Sequence, residues 1–215
     1  IIEEKKLSGI IGRTKYIALN QFEKCFISAT YGFKPLFSIP GTLIEKKLIR
    51  EIGFFIPNNR SGEDVEWINR SKLFNPNLKQ IEVIPLNYIG LKGKNFFMLC
   101  KKWYLFYTST HLVPKFYIQR FCYLLFLVVS LIFLALSWND DIANWNENSF
   151  LYVPHISKIV ISTITLTYLV YRLVILPINK KVKIFTFNFV EFVVFSFISI
   201  ALDFIKLLAF IKHKR

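Results

Sequence analysis

A chain of 215 residues suits one modest domain plus a further segment. An apolar content of 53% and a mean hydropathy of +0.41 are too high for an ordinary soluble domain and point to membrane helices. The net charge of +14 suits an anionic partner; with spans present, the expected partner is membrane lipid or an anionic lipid-linked substrate, and not nucleic acid.

Cys25, Cys100 and Cys122 are odd in number and form no Cys-x-x-Cys. That excludes a zinc ribbon or a disulfide framework and fits a reducing cytosolic face. The chain opens at Ile1 without the pattern of a signal peptide. It begins as if within a domain, so an upstream segment is expected.

Residues 1–16 are polar and basic around Ile10 and Ile11, with Gly9 and Gly12 alongside, and predict a strand. From Tyr16 to Tyr31, the apolar Ile17, Leu19, Phe22, Phe26 and Ile27 predict a loosely amphipathic helix stopped by Gly32. Residues 36–39 predict a short buried strand ended by the turn dipeptide Pro40-Gly41. Residues 45–52 predict a helix through Leu48, Ile49 and Ile52, with Gly53 at its C-terminal cap.

The turn formers Pro57-Asn58-Asn59-Arg60 follow. Ser61 is then placed as the N-cap of a helix over 62–74, with Asp64 three positions on in capping-box spacing. Glu63 and Asp64 fall in its first turn, where carboxylates suit the positive end of the helix dipole. Asp64 is the only aspartate ahead of the first expected span. Residues 80–84 predict a strand closed by Pro85.

Three runs in this region occur in a fixed order. Pro40-Gly41-Thr42 leads into a helix, Glu51-Ile52-Gly53-Phe54-Phe55 ends it, and Ser61-Gly62-Glu63-Asp64-Val65-Glu66-Trp67-Ile68-Asn69-Arg70 opens the next. This order and spacing resembles the acceptor half of a family 2 glycosyltransferase of the GT-A fold, over roughly residues 1–90. The resemblance implies an α/β fold whose nucleotide-binding half is missing from this chain. It implies Asp64 as catalytic base with Glu63 beside it, and Gly41 and Thr42 in the acceptor-side loop. Trp67 is either the floor of a sugar site or a core aromatic. Arg70 either positions the site and neutralises phosphate or pairs with Glu66 or Glu63.

Residues 94–120 interleave cations with aromatics: Lys94, Lys101, Lys102, Trp103, Tyr104, Tyr107, His111, Lys115, Tyr117 and Arg120. Ahead of a span this composition is expected in the lipid headgroup region. Residues 121–138 are uncharged and predict a first span. The 139–157 loop carries Asp140, Asp141 and Glu147 and no Lys or Arg.

A second span is expected over 158–178, with Arg172 near its end snorkelling to the interface. Lys180, Lys181 and Lys183 follow, so the charge asymmetry places residues 1–120 and the 179–183 loop in the cytoplasm. Residues 184–211 are apolar but contain Glu191, Asp203 and Lys206; they span, re-enter, or lie in the interface. Glu191 is expected to face a neighbouring helix or the interface. The expected organisation is therefore an acceptor-like domain over 1–93, a juxtamembrane segment over 94–120 and a membrane domain over 121–215.

There is no Gly-rich phosphate loop and no Asp-x-Asp. His111, His155 and His213 are scattered and make poor metal ligands. The resemblance implies a divalent metal, Mg²⁺ or Mn²⁺, whose ligands are not in this chain. The expected function is a multi-pass inner-membrane, inverting glycosyltransferase. It would move sugar from a nucleotide sugar to a lipid-linked or envelope glycan acceptor. The alternative is a non-catalytic anchor or partner subunit in envelope assembly.

Overall fold

The segment from Arg13 to Ile17 forms the centre of a small sheet, and Tyr16 and Ile17, expected at the start of a helix, belong to it. A computed structural model of the chain describes residues 9–57, 62–74, 84–108, 118, 121, 125, 128–129, 146–150, 152 and 154–213. Strand β2 (Arg13–Ile17) pairs antiparallel with β3 (Leu36–Phe37) and parallel with β5 (Leu86–Ile89). A second, two-stranded ladder joins β1 (Gly9–Ile10) to β4 (Leu43–Ile44). The expected buried strand over 36–39 is only two residues long, and Leu36 is exposed at the sheet edge. The expected strand over 80–84 lies almost wholly outside the described residues; the observed one begins after Pro85.

Helix α1 (Gln21–Ala29) follows β2 after a tight turn. Asn20 caps it by accepting from the Glu23 N–H at 2.9 Å. The Glu23 carboxylate is almost completely buried, and it accepts from Leu19 N and from Leu91 N, both at 2.8 Å. One side chain thereby ties the start of α1 to the segment that leaves β5. Helix α2 (Lys46–Ile52) stops at Gly53, whose φ of 86° is open to glycine at little cost.

Helix α3 (Glu63–Phe74) packs on α2 around Ile11, Leu48, Ile52, Trp67 and Ile68. The Ser61 cap lies outside the described residues.

Helix α4 (Phe96–Thr108) covers the first half of the 94–120 stretch. Leu99 and Trp103 are buried in the main core beside Phe26 and Ile27 of α1. Each such buried side chain contributes about 1.5–3 kcal/mol relative to its exposed state. The expected first span over 121–138 lies almost entirely outside the described residues.

The C-terminal part contains α5 (His155–Val170), a π-helical turn (Tyr171–Ile175) and α6 (Leu176–Asn179) in one continuous rod. A 3₁₀ turn (Ile184–Thr186) then leads to α7 (Phe189–His213). Two stretches, Ser162–Asn179 and Phe189–Phe210, are long and apolar enough to cross a membrane.

Helix α7 is mostly apolar, and its Glu191, Asp203 and Lys206 are ion-paired. Phe195, Ile198 and Leu202 complete the core formed by α1 and α4, while Phe189, Val193, Phe197, Phe204 and Leu208 are exposed. A helix of this kind suits protein on one side and lipid on the other.

Arg172 does not snorkel. It is buried in the π-helical turn and pairs with Asp203 of α7 at 2.8 Å. Glu191 pairs with Lys24 of α1 at 2.8 Å. It also closes a reciprocal cap with Asn188: Glu191 N–H donates to Asn188 Oδ1 at 2.7 Å, and Asn188 N–H donates to Glu191 Oε2 at 3.1 Å. Its carboxylate is thus fully used in starting α7 and docking it on α1.

Candidate functional site

A cavity of about 670 Å³ opens where β2, α1, α3 and α4 meet. Its size falls in the usual range for small-molecule sites. Gly62 sets one wall, with a φ of 84° that favours glycine. A Cβ at this position would lie 3.1 Å from the Phe106 ring, so the glycine also lets α4 approach the start of α3. The next two residues, Glu63 and Asp64, line the cavity from the first turn of α3. There the helix dipole stabilises their charges.

The two carboxylates are held differently. Asp64 Oδ1 accepts from the Val65 N–H at 2.8 Å, which fixes its rotamer. Glu63 Oε2 is buried and has no hydrogen-bond partner among the described residues. A buried acceptor left unpaired is unfavourable by about 1–3 kcal/mol. Such a group commonly marks a place where a ligand supplies the donor. Trp103 Nε1, on another wall, is likewise buried and unpaired. Two residues that line the cavity thus each carry one buried polar atom, an acceptor and a donor, without a partner among the described residues.

Aromatic rings make up much of the remaining lining. Tyr16 and Tyr31 stack at 3.9 Å with an interplanar angle of 9°, and Trp103 packs against Tyr31 at 5.2 Å. Lys102 Nζ donates to the Tyr31 hydroxyl at 3.2 Å. Burial pushes the Tyr31 hydroxyl up to about 12, with Asp64 adding to the rise. Burial raises Tyr16 as well, with Tyr31 second. Both phenols therefore stay neutral at physiological pH and act through hydrogen bonds and their ring faces. Burial also raises the thiols of Cys25 and Cys100, which makes them poor nucleophiles.

The structure brings only part of the sequence-predicted site together. Glu63 and Asp64 share the cavity with Ile39 and Pro40, from the loop that precedes Gly41. Gly41 adopts a φ of 76° and is exposed. Thr42 acts as a latch: its hydroxyl donates to Ser38 O and accepts from Gly12 N, both at 2.9 Å.

Trp67 is buried in the α2–α3 core, donates to Gly53 O at 2.9 Å and is not among the residues that line the cavity. Arg70 is committed to the fold. Its Nε and Nη2 hold the two oxygens of Glu66 at 2.8 and 3.0 Å, and its Nη1 and Nη2 donate to Ile52 O and Phe54 O at 2.7 and 2.8 Å. The bond to Glu66 pushes its basicity further up. Sequence reasoning missed Tyr16, Tyr31, Lys102, Trp103 and Phe106 as site residues. The run Lys101-Lys102-Trp103 carried a signal, but its composition also fits a headgroup anchor.

Glu63 and Asp64 are the only carboxylates lining the cavity among the described residues. Among the described residues no group of three or more His, Cys, Asp or Glu is placed to hold a metal ion. No protein-family model, curated protein or solved structure matches the chain.

Proposed function

We propose that this chain is the acceptor-binding and membrane-anchoring part of an inverting glycosyltransferase of the family 2, GT-A type. It would work at the cytoplasmic face of the inner membrane, taking sugar from a nucleotide sugar to a lipid-linked or envelope glycan acceptor. The observation that carries this reading is the pairing of Glu63 and Asp64 at one wall of an aromatic-lined cavity. Two apolar helices that start beside the same core support the membrane placement.

In this reading an acceptor hydroxyl enters the cavity and donates to Asp64, which takes its proton. The hydroxyl oxygen attacks the anomeric carbon of the donor sugar. The bond from that carbon to the nucleoside diphosphate breaks, and the diphosphate leaves with the electron pair. Attack from the opposite face inverts the anomeric centre. Glu63 holds a second acceptor hydroxyl, and the tyrosine and Trp103 rings pack on the sugar faces. Lys102 is the one cation lining the cavity among the described residues, and it offsets charge on the departing diphosphate.

The test is transfer of radiolabelled sugar from a panel of nucleotide sugars by the complete protein in membranes. Asp64→Asn is expected to lower turnover by about a hundredfold or more. Retention of most of the turnover would remove Asp64 from the reaction. No transfer from any donor would favour a non-catalytic anchor in envelope assembly.

A further inference from the structure

A second cavity, of about 410 Å³, lies at the turn between the two membrane-length helices. Four lysines line it: Lys15 from β2, Lys24 from α1, and Lys181 and Lys183 from the turn. Phe33 and Phe187 supply apolar walls. Lys24 is already paired with Glu191. Lys15, Lys181 and Lys183 have no ion-pair partner among the described residues. Three uncompensated cations in one concavity create a strongly positive local potential, because walls of low dielectric focus the field.

The cavity is built into the fold. Phe33 N–H and Lys34 N–H donate to Lys180 O at 2.9 and 3.1 Å, and Lys180 Nζ donates to Thr30 O. Gly32 sits so close to Lys180 that an added Cβ would lie 2.3 Å from its Cβ. Lys181 adopts a φ of 60°, unusual for a residue with a side chain, so the turn holds it in a conformation it would otherwise avoid. The lysines are thus presented by a backbone tied to α1.

The surroundings identify the anion's source. Phe185 and Phe189 are 88% and 82% exposed and flank the lysines on the same turn, with Val190 exposed beside them. Exposed phenylalanines at the end of two apolar helices suit the boundary between headgroups and acyl chains, beside which lysines meet lipid phosphates. We infer that Lys15, Lys181 and Lys183 form a binding pocket for the phosphate of an anionic lipid headgroup. Phe185 and Phe189 dip into the acyl boundary beside it. The site is separate from the carboxylate cavity. It rests on the membrane placement and not on glycosyl transfer.

The experiment measures binding of short-chain phosphatidylglycerol to the full chain in a non-ionic detergent, by equilibrium dialysis, with no turnover involved. The triple variant Lys15→Gln, Lys181→Asn, Lys183→Gln removes three charges, and Asn tolerates the left-handed backbone at 181. The control Lys46→Gln, Lys47→Gln, Lys94→Gln removes three exposed charges elsewhere. The expected result is a Kd raised at least about tenfold in the site variant and less than about twofold in the control, with phosphatidylcholine not bound.

Equal loss in both triples would reduce the effect to net charge and overturn the pocket. Inorganic phosphate competing as strongly as the lipid would overturn the lipid assignment. Should the triple variant lose its thermal transition, the single variants Lys15→Gln and Lys183→Gln carry the same test. Unchanged affinity in both would overturn the inference.

Discussion

Arg172 Nε and Asp203 Oδ2 meet at 2.8 Å across two different helices, with side-chain exposures of 2% and 0%. The pair is the centre of a network: Tyr168 Oη donates to Asp203 Oδ2 at 2.8 Å, Lys206 Nζ donates to Asp203 Oδ1 at 2.6 Å, and Arg172 Nη2 donates to Ser199 O at 3.1 Å. Isolated charges would be very costly here, so the partners hold each other in place. The π-helical turn brings the guanidinium to face α7.

Asp203→Leu should therefore destabilise the protein by about 3–5 kcal/mol, because Arg172 keeps its charge and loses its counter-ion. The double variant Arg172→Met, Asp203→Leu should recover a large part of that loss. Thermal unfolding in detergent of the two variants and the wild type measures both. A double variant as unstable as the single would mean that packing, and not charge, holds the helices together at this point.

Lys180 gives a pH signature of opposite sign to that of a paired lysine. Burial, with repulsion from Arg172 and then Lys206, brings its pKa from 10.5 down to about 7 despite the attraction of Asp203. Between about pH 7 and pH 10.5 the unfolded chain holds a proton here that the folded chain lacks, so stability contributed at this site rises with pH. Below pH 7 both forms are protonated and the contribution is flat and unfavourable. Wild type should gain thermal stability relative to Lys180→Met between pH 7 and pH 9.5. Parallel pH profiles for the two proteins would show that Lys180 is solvated.

The parts of the fold that were legible in the sequence are those with local signals. Residues 45–52 carry helical apolar spacing and a glycine stop, residues 62–74 carry an acidic first turn, and both helices form within a residue of the expected ends. Strand β2 was not legible. Arg13, Thr14 and Lys15 are polar, and the strand exists because Leu86–Ile89, some seventy residues on, pairs with it in parallel. The tyrosine pair was hidden because it is made by the fold: Tyr16 stands on that strand, and Tyr31 stands past the end of α1. The acidic first turn of α3 was visible because helix-end chemistry is local. Its cavity was not, since Lys102, Trp103 and Phe106 arrive from a helix whose composition also suits a lipid headgroup layer.

Arg70 separates a fold role from a site role. Its guanidinium bridges Glu66 to the carbonyls that end α2, and every one of its nitrogens is engaged. Arg70→Lys cannot reproduce that fork. It should lower stability by about 1–3 kcal/mol, the range for a charged hydrogen-bonding group lost from its carbonyl partners. Turnover per folded molecule should be unchanged. Melting curves combined with turnover normalised to folded protein check both. A drop in turnover at unchanged stability would restore Arg70 to the site.

Glu63 and Asp64 are neighbours in sequence and line one cavity, yet their surroundings assign them different work. Asp64 Oδ1 is oriented by Val65 N–H, an arrangement that Asn preserves while losing the ability to take a proton. Asp64→Asn should therefore lower kcat and change stability by less than about 1 kcal/mol, the scale of one first-turn carboxylate on the helix dipole. Glu63 Oε2 has no partner to lose among the described residues. Glu63→Gln keeps the side chain's shape and gives up a first-turn charge on the helix dipole, so thermal stability should stay within about 1 kcal/mol of wild type. If that oxygen receives an acceptor hydroxyl in the complex, the same variant should raise the acceptor KM by about tenfold, the scale of one hydrogen bond to a charged group. Its kcat should fall much less than that of Asp64→Asn. Steady-state kinetics with acceptor varied at saturating donor, alongside melting curves, distinguish the two carboxylates. A collapse of kcat in Glu63→Gln with KM unchanged would exchange their roles and make Glu63 the base.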